Sequence, residues 1–260
     1  MNRRPFPRLV LAVTVSTAAA LAMPTMAAQA AGRGTLTGHV HLLGKLPGNP
    51  VLRMRGDPLC KQLAAGKQVV QETVVAALDG SLANVFVRLE GTFPETPVPS
   101  QPVIVDQKGC IYTPRVVGLR LGQTLEIKNS DALLHNVHSL SGRGNGFNIG
   151  QPMAGMVYKA TPKEAETMLR LSCDIHSWMT AYVGIVNHPY FGVTGKNGAF
   201  EIRDVPAGRY TLQAWHEQYG ELKQTVVVTA GGTATADFKY SPPDPSTATA
   251  PAAAPSRRGR

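Results

Sequence analysis

The chain has 260 residues, of which 43% are hydrophobic and 17% charged, with 26 Gly, 20 Pro and a formal net charge of +9. This length holds one large or two small domains with real cores. Glycine and proline spread among short β-branched runs, without sustained helical periodicity, exclude a disordered polymer and a helical bundle and point to strands joined by turns. Three cysteines are too few for a disulfide-scaffold mini-protein or a four-cysteine zinc site.

In chain order, Arg3, Arg4 and Arg8 precede an apolar run, Leu9 to Ala22, and a small-residue site, Ala28-Gln29-Ala30. This is the pattern of a cleaved export signal over residues 1–30, because Pro24 and Gln29 interrupt the run before the roughly 20 apolar residues of a membrane span are reached. The expectation is a periplasmic or secreted protein with no stable membrane span after cleavage. Asn2-Arg3-Arg4-Pro5-Phe6 also resembles a twin-arginine signal, which exports folded, cofactor-loaded protein. The first thirty residues hold those three arginines and no acid, so the formal charge without them is +6. Such a charge favours acidic partners without implying nucleic acid.

Strand patterning then runs through the chain. Thr35 to Leu43 alternates, Val74 to Leu78 and Val85 to Leu89 flank Asp79-Gly80, and Leu119 to Lys128 alternates around Gly122. Further strands are expected at Met156 to Thr161, Met168 to Cys173, Tyr182 to Val186, Ala199 to Arg203, Tyr210 to Trp215, Thr225 to Thr229 and Ala234 to Tyr240. Two helical signals compete with an all-β reading. Pro58 to Ala65 predicts a short helix, and Thr161-Pro162-Lys163-Glu164 has capping-box chemistry with Pro at the first helical position. Each is expected to give one or two turns at most. Residues 241–260, Pro- and Ala-rich and ending Arg257-Arg258-Gly259-Arg260, read as a disordered basic tail.

The chemistry lies in His135-Asn136-Val137-His138 and, further on, Cys173-Asp174-Ile175-His176-Ser177-Trp178-Met179. A strand with Leu169, Leu171 and Cys173 on one face carries the thiol into a sandwich interior at its end. The following loop brings His176 and Met179 back toward that sulfur, and a second loop, entered from Leu125 to Asn129, delivers His135. Two imidazoles, a thiolate and a weak thioether are the ligands of a mononuclear copper electron-transfer site, with Met179 axial.

The run Leu121-Gly122-Gln123-Thr124-Leu125 through Asn129 to His135-Asn136-Val137-His138, with the tight Cys-x-x-His-x-x-Met loop and Val183-Gly184-Ile185-Val186 after it, resembles the small blue-copper cupredoxins of the amicyanin and plastocyanin type. The resemblance spans about Val103 to Asn187. It implies a cupredoxin-like Greek-key β-sandwich with one type 1 copper, held by His135, Cys173, His176 and Met179. It further implies that Asn136 ties the two ligand loops together and that the edge of His176 is the electron port. The family's prolines around the second histidine are absent here, where Ile175 and Ser177 stand.

A second resemblance rests on Phe191-Gly192-Val193-Thr194, Gly198-Ala199-Phe200 and Val205-Pro206-Ala207-Gly208-Arg209-Tyr210-Thr211-Leu212, which is similar to the carboxypeptidase regulatory-like, transthyretin-like sandwich. The opening strands of such a module are sought in Gly38-His39-Val40-His41-Leu42 and Asn84 to Leu89. The expected organisation is therefore a discontinuous sandwich, residues 32–98 plus 188–240, with a cupredoxin domain at 99–187 inserted. A tandem order is the alternative.

Cys60 and Cys110 remain as a pair once Cys173 is assigned to metal. An oxidising compartment favours a disulfide between them over two separate thiols. His138, on the strand face opposite Val137, reads as structural, His39 and His41 as solvent-facing imidazoles rather than a surface copper site, and His188 and His216 as packing or hydrogen bonding between domains. The leading function is a non-enzymatic one-electron carrier. Its redox partner, by resemblance, is a dehydrogenase or a c-type cytochrome. The alternatives are a copper-delivery protein and a scaffold or binding sandwich with a non-redox site.

Overall fold

The computed structural model describes residues 32–54, 57–64 and 67–242. The expected export signal, its twin-arginine motif and the tail from residue 243 lie outside the described residues. The chain runs through β1 (Arg33–Leu42), a short helix α1 (Pro58–Leu63) and β2 (Phe86–Glu90). It continues through β3 (Val103–Gln107), β4 (Tyr112–Thr113), β5 (Val116–Arg120), β6 (Leu125–Asn129), β7 (His135–Leu140), β8 (Phe147–Gln151), β9 (Val157–Ala160), β10 (Glu166–Ser172) and β11 (Thr180–Val186). Six more strands close it: β12 (Phe191–Val193), β13 (Ala199–Pro206), β14 (Gly208–His216), β15 (Gly220–Val228), β16 (Thr233–Thr235) and β17 (Phe238–Tyr240). Among the described residues the protein is all-β apart from α1, and no helix there is long and apolar enough to cross a membrane.

The strands form two β-sandwiches. In one, β1 pairs with β13, β16 and β17, facing a sheet in the order β12-β2-β14-β15. The two-residue period of β1 puts Leu36, Val40 and Leu42 on its inner face, where they pack with Val85, Val87, Leu89, Leu212 and Ala214. In the other, a sheet in the order β5-β11-β10-β7-β8 faces one in the order β4-β3-β6-β9. Its core gathers Val105, Leu119, Leu125, Ile127, Val137, Leu169, Leu171, Val183 and Ile185.

A flat seam joins the sandwiches. Gly118 and Gly184 are partners in the parallel pairing of β5 with β11. A Cβ on Gly184 would stand 2.5 Å from the Phe86 ring, and one on Gly118 would stand 2.2 Å from the Phe191 ring, so only glycine lets these aromatics lie against the sheet. The Arg115 guanidinium, on one side of the seam, makes a bidentate ion pair with the buried Glu217 carboxylate on the other. Arg120, at the end of β5, is buried and donates to the Thr96 hydroxyl (2.9 Å) and to the backbone oxygens of Thr96 (3.2 Å) and Asn187 (3.5 Å). It thereby holds both segments that connect the sandwiches.

Three sequence expectations are corrected. Leu119 to Lys128 is two strands, because Gly122 at φ +82° turns the chain from one sheet to the other. Val74 to Leu78 is no strand and makes a single bridge, Ala76 to Leu82, since the Asp79-Gly80 turn follows at once and leaves Leu78 fully exposed. Thr161 to Glu164 forms no helix: Asn145 Oδ1 accepts the N–H groups of Lys163 (3.0 Å) and Glu164 (3.3 Å). Those are the donors a helix start would present, and a side chain from another part of the fold takes them instead. The first helical expectation gives α1, shorter than Pro58 to Ala65, with Asp57 as its N-cap.

Candidate metal centre

The second sandwich brings its polar groups to one end. His135 opens β7, and Cys173 follows β10 directly. Because β7 and β10 are antiparallel neighbours, with Ser172 opposite His138, the strand pairing itself sets imidazole and thiol side by side. After Cys173 the chain makes a tight loop. Met179 N–H donates to His176 O (2.8 Å), and Cys173 N–H reaches back to Met179 O (3.3 Å), which closes the loop and turns His176 inward.

His135, Cys173 and His176 converge, and one donor atom from each lies within 4.8 Å of the other two. His135 Nδ1 and His176 Nδ1 are 3.1 Å apart, and His176 Nδ1 is 3.7 Å from Cys173 Sγ. The sulfur accepts N–H groups from Asn136 and His176, each at 3.4 Å. Met179 is buried in the same core cluster as Cys173. Asn136 spans the two ligand segments: its backbone donates to the Cys173 sulfur, and its side-chain oxygen accepts the N–H of Asp174 at 2.9 Å. The Tyr112 hydroxyl, between the same strands, donates to Asn136 O at 2.8 Å.

Each imidazole has a carboxylate on its other nitrogen. His135 Nε2 lies 2.9 Å from Asp131 Oδ2 and His176 Nε2 lies 3.1 Å from Asp57 Oδ2. Asp131 is in turn fixed by the N–H groups of Gly109 (2.7 Å) and Cys110 (2.8 Å), both left-handed at φ +67° and +58°. Cys110 is bonded to Cys60 in a disulfide. Burial disfavours charge on His135, but hydrogen bonds with Asp131 and Cys173 outweigh it and raise the imidazole pKa to about 9. Burial likewise resists the Cys173 thiolate, but His135 and the N–H groups of Asn136 and His176 lower its pKa to about 7. In the metal-free site the same contacts therefore favour the imidazolium of His135 and the thiolate of Cys173 against burial.

Neither Asp57 nor Asp131 is marked by the motifs that single out the histidines. Asp57 stands just before the expected helix at Pro58 to Ala65 and Asp131 four residues before His135, but nothing in the sequence tells which histidine either carboxylate faces. The expected electron port is corrected. His176 is 1% exposed, because Asp57 and Cys60 of the α1 segment cover its outer edge.

Comparison with known proteins divides along the same lines. Residues 181–241 match the family described as the carboxypeptidase regulatory-like domain. The chain carries a carboxypeptidase regulatory-like domain. Among solved structures, the chain is similar to a copper-containing nitrite reductase (NirK) from Thermus scotoductus SA-01, at 20% identity and a TM-score of 0.31, over 36% of this chain and 24% of that one. It is also similar to a purple cupredoxin from Nitrosopumilus maritimus, at 24% identity and a TM-score of 0.26, over 29% of this chain and 81% of that one. A Cu(I) form of an amicyanin mutant matches at 22% identity and a TM-score of 0.29, over 38% of this chain and 97% of that one. The chain thus spans about a quarter of the nitrite reductase's length. No curated protein matches.

The matched range begins inside β11, which in this structure pairs with β10 and β5 of the other sandwich. From β12 onward the carboxypeptidase regulatory-like domain completes its sheets with β1 and β2. It contributes no side chain to the His135–Cys173–His176 cluster. Its own buried histidines are of another kind. His188 and His216 have no carboxylate partner among the described residues, and burial lowers each pKa to about 4, with nearby arginines acting the same way. His138 is partly exposed against Asp174, and His39 and His41 stack on the outer part of β1 at 6.3 Å.

Proposed function

We propose that the protein is an exported, non-enzymatic copper protein that carries single electrons between redox partners through one site built from His135, Cys173, His176 and Met179. One observation carries this reading. With both Nε2 atoms turned to carboxylates, the two Nδ1 atoms face each other at 3.1 Å beside a sulfur whose pKa is already lowered. In the metal-free protein these two nitrogens share a proton in an N–H···N hydrogen bond, and a metal ion that displaces that proton finds both lone pairs already turned toward it. Metal bonds of about 2.0–2.1 Å to imidazole and about 2.3 Å to thiolate place donors of one ion roughly 3–4 Å apart, and the spacings found here fall in that range. Two imidazoles and a thiolate with a thioether beside them select copper over a hard cation.

Copper held there supplies one-electron exchange between Cu(II) and Cu(I), the electron coming from a reduced partner and leaving to an oxidised one. The chain's own residues set the conditions. Asp131 and Asp57 orient the imidazoles, Asn136 keeps the ligand segments in register, and the apolar core around Cys173 excludes water. Trp178 supports a contact surface other than the His176 edge: it is half-buried, with its ring 5.1 Å from that of His176. The division into a cupredoxin domain at 99–187 inserted in a sandwich of residues 32–98 and 188–240 is part of the same proposal, supported by the pairing of β1 with β13, β16 and β17 and of β2 with β12 and β14, while Met54 and Cys60 reach across to pack with the inserted domain.

Titration of the metal-free protein with Cu(II) tests the reading. The expected result is one equivalent bound, with an intense visible thiolate-to-copper band that Cys173→Ser abolishes. Binding without that band favours a non-redox site, and loss of the ion to a mild chelator on reduction favours copper delivery. No binding at all leaves an exported β-sandwich scaffold.

A further inference from the structure

The α1 segment gives little to either core beyond Cys60. It is six residues long, buries only Cys60, and leaves Leu59 and Leu63 exposed. Yet its position is tightly set. Asp57 Oδ1 accepts the N–H groups of Leu59 (2.8 Å) and Cys60 (3.2 Å), which caps the helix, while Oδ2 stands 3.1 Å from His176 Nε2. Cys60 Sγ is 3.5 Å from the same nitrogen. One carboxylate thus has two tasks, one oxygen for each.

The anchor of this segment is the Gly109–Cys110 turn, and that turn serves both histidines. Its two N–H groups fix Asp131, the partner of His135, and its sulfur fixes α1, which carries the partner of His176. The Trp178 indole donates to the carbonyl oxygen of the same Cys110 at 2.9 Å.

We propose that Asp57 is a positioning residue for His176 and that the α1 segment, fastened by Cys60–Cys110, is a cover that holds the imidazole with Nδ1 inward and closes its outer edge. The consequence for copper rests on the proposed function, but the hold on the imidazole does not. A carboxylate accepting the Nε2 proton fixes the tautomer whose Nδ1 lone pair is free for a metal. Without it the ring can rotate, exchange its proton with water and meet other molecules at its edge.

The test uses the full chain with its disulfide intact, and two variants. Asp57→Ser keeps a helix-capping oxygen but cannot reach His176. Asp57→Asn keeps the size of the side chain, and with its oxygen on the cap it presents an amide to Nε2. In the metal-free protein, imidazole nitrogen–proton NMR is expected to show a slowly exchanging His176 Nε2–H. Both variants should lose it, with the backbone spectrum otherwise kept. With Cu(II) as probe, transfer to a chelator should accelerate about 10- to 100-fold in both variants, the usual effect of removing a carboxylate behind a ligating histidine. Cys60→Ala with Cys110→Ala should reproduce the acceleration. A signal retained in both variants, or transfer unchanged while the signal is lost, overturns the proposal. A signal present, lost in both variants, with no copper taken up by any form supports the hold and sinks the copper reading alone.

Discussion

Four buried histidines lie among the described residues, and the two sandwiches treat them in opposite ways. At the candidate metal centre, His135 and His176 each have a carboxylate on the outer nitrogen. In the carboxypeptidase regulatory-like domain, His188 and His216 have none and stay neutral through burial, with Arg88, Arg115 and Arg120 nearby. The first arrangement turns both inner Nδ1 atoms toward each other, 3.1 Å apart. The second uses imidazole as a flat packing surface: His188 lies 4.6 Å from the Phe93 ring, and His216 stacks on Tyr219 at 4.9 Å. A histidine's partner, more than its burial, separates these two settings.

The most severe way to break this contrast is Asp131→Ala, which leaves His135 buried without its acid and the Gly109–Cys110 turn without its acceptor. Loss of about 3–5 kcal/mol in denaturant unfolding of the metal-free protein is expected. Reducing Cys60–Cys110, which closes a separation of 50 residues, should cost about 2–4 kcal/mol by the chain-entropy account. It should also expose the His176 edge, and the carboxypeptidase regulatory-like domain should keep its spectrum.

Acidity sharpens the contrast because the two regions respond with opposite sign. His135, raised from 6.5 to about 9, contributes stability that is complete below 6.5 and lost as pH climbs through about 9. His188 and His216, lowered to about 4, do the reverse. Below pH 6.5 the unfolded chain takes up protons that the native state refuses until about pH 4, so stability falls across that window by roughly 3 kcal/mol for each. Thermal melts of the metal-free protein from pH 7 to 4 should show the decline, and His216→Gln should flatten it. The smallest expected effect comes from the seam. Gly184→Val drives side-chain atoms into the Phe86 ring and should cost about 1–3 kcal/mol without shifting the visible spectrum of copper-loaded protein.

The strands that were legible in the sequence are those with a clean two-residue period and one buried face, such as Thr35 to Leu43 and Tyr210 to Trp215. The period failed where a turn intervened, at Gly122, or where a partner strand was missing, at Val74 to Leu78. Local capping chemistry at Thr161 lost to Asn145, a residue 16 positions earlier whose approach no window could reveal. The closeness of Cys173 and His176 follows from their three-residue spacing in one tight loop. The carboxylates did not announce themselves. Asp57 meets His176 only because a disulfide and a left-handed turn carry α1 across the end of the sandwich, and such geometry leaves no periodic trace.

Arg120 gives the connection between the sandwiches an unusual property. In the proposed division the guanidinium and its acceptor Asn187 lie within the inserted stretch and Thr96 lies just before it, so departure and re-entry share one joint. A stretch fastened in this way has little freedom to swing on its linkers. In a transplant of residues 99–187 the Asn187 carbonyl would travel with the guanidinium, but the host would have to replace the hydroxyl and carbonyl of Thr96.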